Sequence, residues 1–320
     1  MNINLKTILE AHQKMQGIVK RTPFDLSPLL SERFGAKVYL KCENYQTTGS
    51  FKLRGAVNKM LTLTSEEKAR GVVTASAGNH AQGVAYVAQK LGIDAKTVIP
   101  KNGSKTKIEN TKRMGANVVI AGEDYDGSEA KAWEISSAEG RTYVHAFNDP
   151  HIWAGQGTVG LEMLQDIPDL DLILVPAGGG GLIRGVAEAV KAINPSIKVY
   201  GIQPETSTPW YTSFKKGCYT HVEMFDSLAD GLTGDIAPEM VPHVVSMIDD
   251  VFLVTENEIA QAMYWLIKHQ HMLVEGSASV GVALLLENKL DIANKKVGII
   301  LTGCNVDAAI VKNILNEYEV

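Results

Sequence analysis

Short apolar strands alternate with helices along most of this 320-residue chain, and this alternation restricts the fold more than any other feature. Strands that alternate with helices across short connections form a parallel sheet covered by helices on both faces. The sequence therefore predicts an α/β fold. The first series has predicted strands at 71–75, 97–100, 118–120 and 142–144 and predicted helices at 81–91, 104–114 and 128–139, after helices at 7–16 and 27–34 and a strand at 38–42.

A second series of the same kind follows Asp149-Pro150. Its strand at 172–176 is almost entirely apolar, which is typical of a strand buried on both faces of a sheet. Two series imply two domains, each an open twisted sheet, with the ligand site in the cleft between them. The series has predicted strands at 172–176, 198–203, 251–254 and 297–301, predicted helices at 152–165, 182–193, 256–268, 277–287 and 308–318, and an irregular segment at 204–239.

Composition and charge argue against several classes of protein. The sequence is 45% hydrophobic and 21% charged, like ordinary globular proteins, and its net charge of −5 argues against a nucleic-acid partner. The longest uncharged apolar stretch, 172–183, is too short to span a membrane, and the amino terminus does not resemble a signal peptide. Cys42, Cys218 and Cys304 have neither paired nor zinc-binding spacing, which favours free thiols in a reducing, cytoplasmic location.

The most informative polar segment is 48–55, which places Lys52 in the first turn of a predicted helix. A lysine is electrostatically unfavourable there, because the amino end of a helix dipole favours anions. Two interpretations remain open. Either Lys52 is a solvated surface residue and Ser50 is only an N-cap, or the helix start and Ser50 bind an anionic ligand to which Lys52 is covalently attached.

Three further segments follow predicted strands, at the edge where open α/β sheets bind ligands. The four glycines at 178–181 lack the dinucleotide and Walker patterns and favour the binding of a single phosphate group by bare backbone. The segment 76–80 is rich in hydrogen-bond donors, and 302–305 offers the neutral hydroxyl of Thr302. A tight turn alone would explain 178–181, and an N-cap with a turn would explain 76–80. Glu275, between two apolar helices, is a further candidate.

Together the segments 48–55, 76–80, 178–181 and 302–305 resemble, in the same order, the four site segments of the fold-type II pyridoxal-phosphate enzymes. Within that group the chain resembles the threonine dehydratase and serine racemase branch, over nearly its whole length. The resemblance implies the tryptophan-synthase-β-like fold, with residues 1–50 and 147–320 in a large cofactor-binding domain and 51–146 in a small mobile domain. It also implies a homodimer or homotetramer.

The same resemblance implies roles for individual residues. Lys52 would form the Schiff base with pyridoxal 5'-phosphate, Phe51 would pack beside its ring, and Asn79 and Thr302 would bond its 3-oxygen and pyridine nitrogen. The expected phosphate cradle is Gly178, Gly179, Gly180, Gly181 and Leu182. The expected binding site for the substrate carboxylate is Ser76, Ala77, Gly78 and His80.

The implied activity is β-elimination from L-threonine, with L-serine as a second substrate, to give a 2-oxo acid and ammonia. Lys52 would remove the Cα proton, and the neutral Thr302 would make the cofactor a weaker electron sink, which favours loss of the β-hydroxyl. Racemases of this branch carry a second serine where this chain has Ala77, which counts against the nearest alternative, serine racemase.

Gln203 and Pro209 replace carboxylates that hold a divalent metal in many members, so no metal site is expected. Dehydration of another β-hydroxy amino acid such as 3-hydroxyaspartate, β-replacement of the cysteine-synthase type and a cofactor-free binding protein also remain open.

Overall fold

The protein contains two sheets surrounded by helices in a computed structural model, which describes residues 3–76, 78–101 and 105–318. The strands are β1 (Phe24–Leu26), β2 (Lys37–Cys42), β3 (Val72–Ala75), β4 (Ala95–Ile99), β5 (Asn117–Ile120), β6 (Thr142–Tyr143), β7 (Leu172–Pro176), β8 (Lys198–Pro204), β9 (Asp250–Val254) and β10 (Lys296–Leu301). The α-helices are α1 (Leu5–Lys14), α2 (Pro28–Phe34), α3 (Lys52–Leu61), α4 (Ser65–Arg70), α5 (Asn79–Leu91), α6 (Lys105–Arg113), α7 (Tyr125–Glu139), α8 (Pro150–Asp166), α9 (Gly181–Ile193), α10 (Pro209–Lys216), α11 (Val241–Val245), α12 (Glu256–Gln270), α13 (Gly276–Leu286) and α14 (Ala308–Tyr318).

The larger sheet has six strands in the order β1-β2-β10-β7-β8-β9, and only β1 runs antiparallel to its neighbour. The smaller sheet has four parallel strands in the order β5-β4-β3-β6. Strand β7 shows why the larger sheet needs helices on both faces. Leu172 and Leu174 lie in one buried apolar cluster, whereas the alternate residues Ile173 and Val175 lie in another. The predicted α/β architecture with two open sheets is confirmed.

Helix α8 packs against both α3 and α9, so it lies between the parts of the chain that carry the two most informative motifs. Close approach to α3 depends on glycine, because a Cβ atom added at Gly155 would lie 2.7 Å from the carbonyl oxygen of Arg54. This contact fixes the position of the helix that begins with Lys52.

A buried charge cluster also anchors α3. The Arg54 guanidinium is fully buried and forms ion pairs with Glu43, at 2.7 Å, and with Glu162 on α8, at 2.8 Å. Lys41 on β2 adds a 2.6 Å contact to Glu162. Burial of unpaired charges is costly, so α3 is held in the one position that pairs all four charges.

The main errors of the sequence-based assignment concern short elements. The segment 204–239 was predicted to be irregular, but it contains α10, which begins at Pro209 and ends before Gly217 in the left-handed conformation, with φ of 71°. The edge strand β1 and the helix α4 were not predicted. None of the described helices has the length and apolar character needed to cross a bilayer.

Candidate active site

A cavity of about 570 Å³ lies where several strands of both sheets end and several helices begin. It brings together all the described residues that the sequence assigned to a site. They are Phe51, Lys52, Ser76, Gly78, Asn79, His80, Gly178, Gly179, Gly180, Gly181, Leu182 and Thr302. Ala77 falls outside the described residues.

Four helices begin at the wall of this cavity, namely α3, α5, α9 and α13, and none of their N-cap residues makes a side-chain capping bond. Elsewhere, α1, α4 and α12 begin with complete capping boxes. An uncapped helix start leaves backbone N–H groups for another partner, and the helix dipole makes that partner an anion. The cavity wall therefore presents several positive helix ends. The residues at their N-cap positions are Phe51, Gly78, Gly180 and Glu275.

The glycine loop between β7 and α9 has no room for side chains. A Cβ atom on Gly179 would lie 2.5 Å from the Phe147 ring, and Gly180 has a φ of 100°, which side-chain-bearing residues rarely adopt. The Trp210 indole donates a hydrogen bond to the Gly178 carbonyl at 2.6 Å and so fixes the loop from behind. The loop presents bare backbone to the cavity, as the sequence predicted.

Lys52 is only partly exposed, and its Nζ donates a hydrogen bond to the carbonyl oxygen of Ala146 at 2.9 Å. Burial lowers the pKa of Lys52 to about 8, although the Glu275 carboxylate opposes the shift. This amine is not a solvated surface group, and the interpretation in which Ser50 caps α3 is wrong. Phe51 is the N-cap residue, and Ser50 instead forms an antiparallel bridge with Gly303.

The segment that carries Lys52 is bonded to the end of β10. The Phe51 N–H donates to the Thr302 carbonyl at 3.0 Å, and the Cys304 N–H donates to the Gly49 carbonyl at 2.9 Å. The Thr302 hydroxyl is buried and has no hydrogen-bond partner within the described part of the chain. A buried hydroxyl without a partner is costly, which points to a polar ligand at this position.

The loop before α5 is held by a hydrogen bond from the Gly78 N–H to the Ser76 hydroxyl oxygen, at 3.1 Å. His80 lies behind this loop, with Nε2 3.0 Å from the Val144 carbonyl oxygen. Burial, and then the positive charge of Lys52, lower the pKa of His80 to about 3. The imidazole is therefore neutral near pH 7, and its Nε2 carries the proton because a carbonyl only accepts.

Some residues of the cavity wall were not identified from sequence. His145 and Phe147 follow β6, and the strand-end rule that found the other segments could have found them. Tyr125 and Glu129 come from α7, and 230–237 comes from the segment that was predicted to be irregular. No sequence motif marks the residues from α7 and from 230–237, because only the folding of the chain brings them to the cavity.

Gln203 and Pro209, the two positions where the sequence predicted no metal site, have structural roles. The Gln203 side-chain oxygen accepts a hydrogen bond from the Tyr211 N–H at 2.9 Å, and Pro209 begins α10. Within the described ranges there is no group of three or more His, Cys, Asp or Glu side chains that could hold a metal ion. The absence of a metal remains a prediction.

Comparisons with known proteins identify the family. A family model described as pyridoxal-phosphate dependent enzyme matches residues 15–303. The L-threonine ammonia-lyase of Thermotoga maritima is 45% identical and aligns with 98% of this chain and 79% of its own length. The catabolic L-threonine dehydratase TdcB of Escherichia coli is 42% identical, with 98% and 96% coverage.

Solved structures agree with these relatives. The structure of maize serine racemase has a TM-score of 0.93 and 35% identity, covering 100% of this chain and 98% of its own. Threonine deaminase isoform 2 from Solanum lycopersicum has a TM-score of 0.90 and 31% identity, covering 100% and 95%. The family and the cofactor predicted from the four motifs are thus confirmed, and the chain belongs to the pyridoxal-phosphate dependent enzymes.

Proposed function

We propose that this chain eliminates water from L-threonine, with L-serine as a second substrate, and releases a 2-oxo acid and ammonia. The observation that carries the proposal is the Lys52 amine, which faces the cavity with a pKa lowered to about 8. An amine with that pKa is partly neutral near pH 7 and can act as a general base. The names of the relatives, L-threonine ammonia-lyase and L-threonine dehydratase, support the choice of substrate.

The cavity fits pyridoxal phosphate, which when bound supplies an electron sink for negative charge at the substrate Cα. A dianionic phosphate suits the bare amides of 178–181 and the uncapped start of α9, next to Leu182. The unpartnered Thr302 hydroxyl suits a pyridine nitrogen, and the Asn79 amide suits a ring oxygen. Phe51 contributes an apolar wall beside the Lys52 amine, whose Nζ lies 5.5 Å from the centre of the Phe51 ring.

Lys52 is proposed to be both the attachment point and the base that takes the Cα proton at Nζ. The Ala146 carbonyl oxygen accepts a hydrogen bond from this amine and so orients it. We expect borohydride reduction and peptide mapping to find a pyridoxyl label on Lys52. Lys59, two turns further along α3 and ion-paired with Asp149 at 2.7 Å, serves as the internal control and should remain unlabelled.

We propose that the substrate carboxylate binds at the start of α5, at the segment of Ser76, Ala77, Gly78 and His80. The Ser76 hydroxyl accepts the Gly78 N–H and keeps its own hydrogen for the carboxylate. The missing side-chain cap of this helix supports the assignment. The imidazole of His80 is unsuited to the task, because Nε2 donates to Val144 and leaves only the acceptor Nδ1. We therefore assign its backbone N–H, and not its ring, to the carboxylate.

Serine racemase is the second candidate, favoured by the structural similarity to the maize enzyme. Ala77 has no hydroxyl that could return a proton to the opposite face of Cα, so we rank elimination first. The purified protein with its cofactor should release 2-oxo acid and ammonia from L-threonine and L-serine. A dominant conversion of L-serine to D-serine would support the racemase instead, and 3-hydroxyaspartate belongs in the same substrate panel.

The remaining proposals concern organisation. We propose a small mobile domain of residues 51–146 and a large cofactor-binding domain of residues 1–50 and 147–320. The sheets support this division, because β3 to β6 form the smaller sheet and all the other strands form the larger one. The three cysteines are free, which supports a reducing, cytoplasmic location. A homodimer or homotetramer is proposed from the family resemblance, and light scattering coupled to size exclusion would test it.

A further inference from the structure

Two side chains of the cavity wall, Asn79 and Glu275, form a continuous hydrogen-bond network with Asn305. The Asn79 Nδ2 group donates to Glu275 Oε1 at 2.7 Å, and the Asn305 Nδ2 group donates to Asn79 Oδ1 at 2.6 Å. The same Asn305 nitrogen donates to the Thr48 carbonyl oxygen at 3.0 Å. One end of this network is therefore the Glu275 carboxylate and the other is the Thr48 carbonyl, with the amides of Asn79 and Asn305 between them.

The chemistry of the two ends fixes the direction of every bond between them. A backbone carbonyl and a carboxylate only accept hydrogen bonds, so both neighbouring amides must turn their nitrogen atoms toward them. The Asn305 oxygen cannot face Thr48, and the Asn79 oxygen cannot face Glu275. Asn79 Nδ2 carries two hydrogens, and one of them is donated to Glu275. Because the amide group is planar, this bond also fixes the direction of the second N–H.

Two glycines make room for this arrangement. A Cβ atom on Gly49, which has a φ of 71°, would lie 2.9 Å from Asn305 Oδ1. A Cβ atom on Gly303 would lie 2.6 Å from Glu275 Oε1. Both glycines belong to the segments that pair with each other beside Lys52. The backbone of the site is therefore shaped around the two groups that hold Asn79.

We propose that Glu275 and Asn305 are positioning residues that make Asn79 a hydrogen-bond donor toward the cofactor ring. The inference rests on the proposed function, in which the Asn79 amide meets a ring oxygen of pyridoxal phosphate. With the amide reversed, Asn79 would present an acceptor oxygen to that ring oxygen and would repel it. The carboxylate and the second amide exclude this reversed orientation before the cofactor arrives.

The sharpest test reverses the polarity at one end of the network. Asn305→Asp keeps the shape of the side chain but replaces its donor by an acceptor, which then competes with Glu275 for the Asn79 nitrogen. Full-length protein stripped of cofactor and titrated with pyridoxal phosphate should bind it about tenfold more weakly, the size expected for one hydrogen bond to a charged group. The visible absorption band of the bound cofactor should shift as well. Asn117→Asp, at an exposed position of β5, makes the same charge change and should leave both unchanged.

A double-mutant cycle separates positioning from general damage. In an Asn79→Ala background the amide to be oriented is gone, so Asn305→Asp should weaken cofactor binding by less than about twofold. Equal losses with and without Asn79 would overturn the proposal.

Glu275→Gln gives a milder second cycle, since an amide can either donate or accept. This cycle decides the matter if Asn305→Asp does not fold. A wild-type chain that fails to bind pyridoxal phosphate would refute the proposed function itself, whereas normal wild-type binding with unaffected variants refutes only this inference.

Discussion

Replacement of Gly179 by alanine should weaken cofactor binding without straining the backbone, because Gly179 is not among the glycines with positive φ. The added Cβ atom would lie 2.5, 2.6 and 2.8 Å from three carbons of the Phe147 ring. Ordinary carbon–carbon contact begins at about 3.5 Å, so the ring would have to move by about 1 Å. The overlap includes the Cγ atom, so rotation of the ring alone does not relieve it.

The Phe147 ring has little freedom to move away. The carbonyl oxygen of the same residue accepts a hydrogen bond from the Trp153 indole at 2.5 Å. The ring also packs edge-on against His145, with 4.7 Å between ring centres. Overpacking of this kind costs about 1–3 kcal/mol. The alternative to moving the ring is a shift of the glycine loop, which takes its amides away from the phosphate.

Either response should raise the dissociation constant for pyridoxal phosphate by about 10- to 100-fold, since each 1.4 kcal/mol is about a factor of ten. Absorbance titration of the cofactor-free protein measures this directly. Gly92→Ala is the matched control, because it adds a methyl group at the end of α5, where φ is 66° and the described residues other than its chain neighbours place no atom within 4 Å. The control should lose about 1 kcal/mol of stability and keep its cofactor affinity. Unchanged affinity in folded Gly179→Ala would refute the reasoning.

Three further results are expected. Because only a neutral amine attacks an aldehyde, the rate of cofactor capture by Lys52 should rise with pH and level off above its pKa of about 8, and a rise that continued beyond pH 10 would contradict this. Arg54→Ala leaves the buried Glu43 without its cation and Glu162 with Lys41 alone, so it should cost about 3–5 kcal/mol in urea unfolding, whereas Arg21→Ala removes an exposed ion pair and should cost less than about 1 kcal/mol. Thr302→Val removes a buried hydroxyl that has no partner among the described residues, so the cofactor-free protein should be as stable as wild type or more stable, while cofactor affinity falls. Destabilisation with unchanged affinity would show that this hydroxyl serves the fold.

The sequence was most informative where one physical requirement dominates. The strand at 172–176 was identified because burial on both faces demands an unbroken apolar run. Helix α10 was missed because turn-forming residues surround it, although Pro209 at its start and Gly217 at its end are the usual boundary signals. Strand β1 has only three residues and exists through its pairing with β2, which no local pattern reveals.

The site was predictable to the extent that its residues follow strands. The motif residues around Lys52, 178–181 and Thr302 could be found because glycines, hydroxyls and a lysine at strand ends are unusual. Tyr125 could not be identified from the sequence, because it belongs to the surface of a helix and reaches the cavity only through tertiary packing. The direction of the Asn79 amide was likewise unpredictable, since it depends on neighbours 196 and 226 positions away.

The pairing of the segment before Lys52 with residues 302–304 has a consequence for biosynthesis. During translation the lysine leaves the ribosome long before the strand that anchors it, so a nascent chain has the reactive amine but not its setting. Productive capture of the cofactor must therefore wait until residues 302–304 have been made. We therefore expect ribosome-bound chains arrested before residue 300 to be unable to retain the coenzyme, however well their earlier segments have folded.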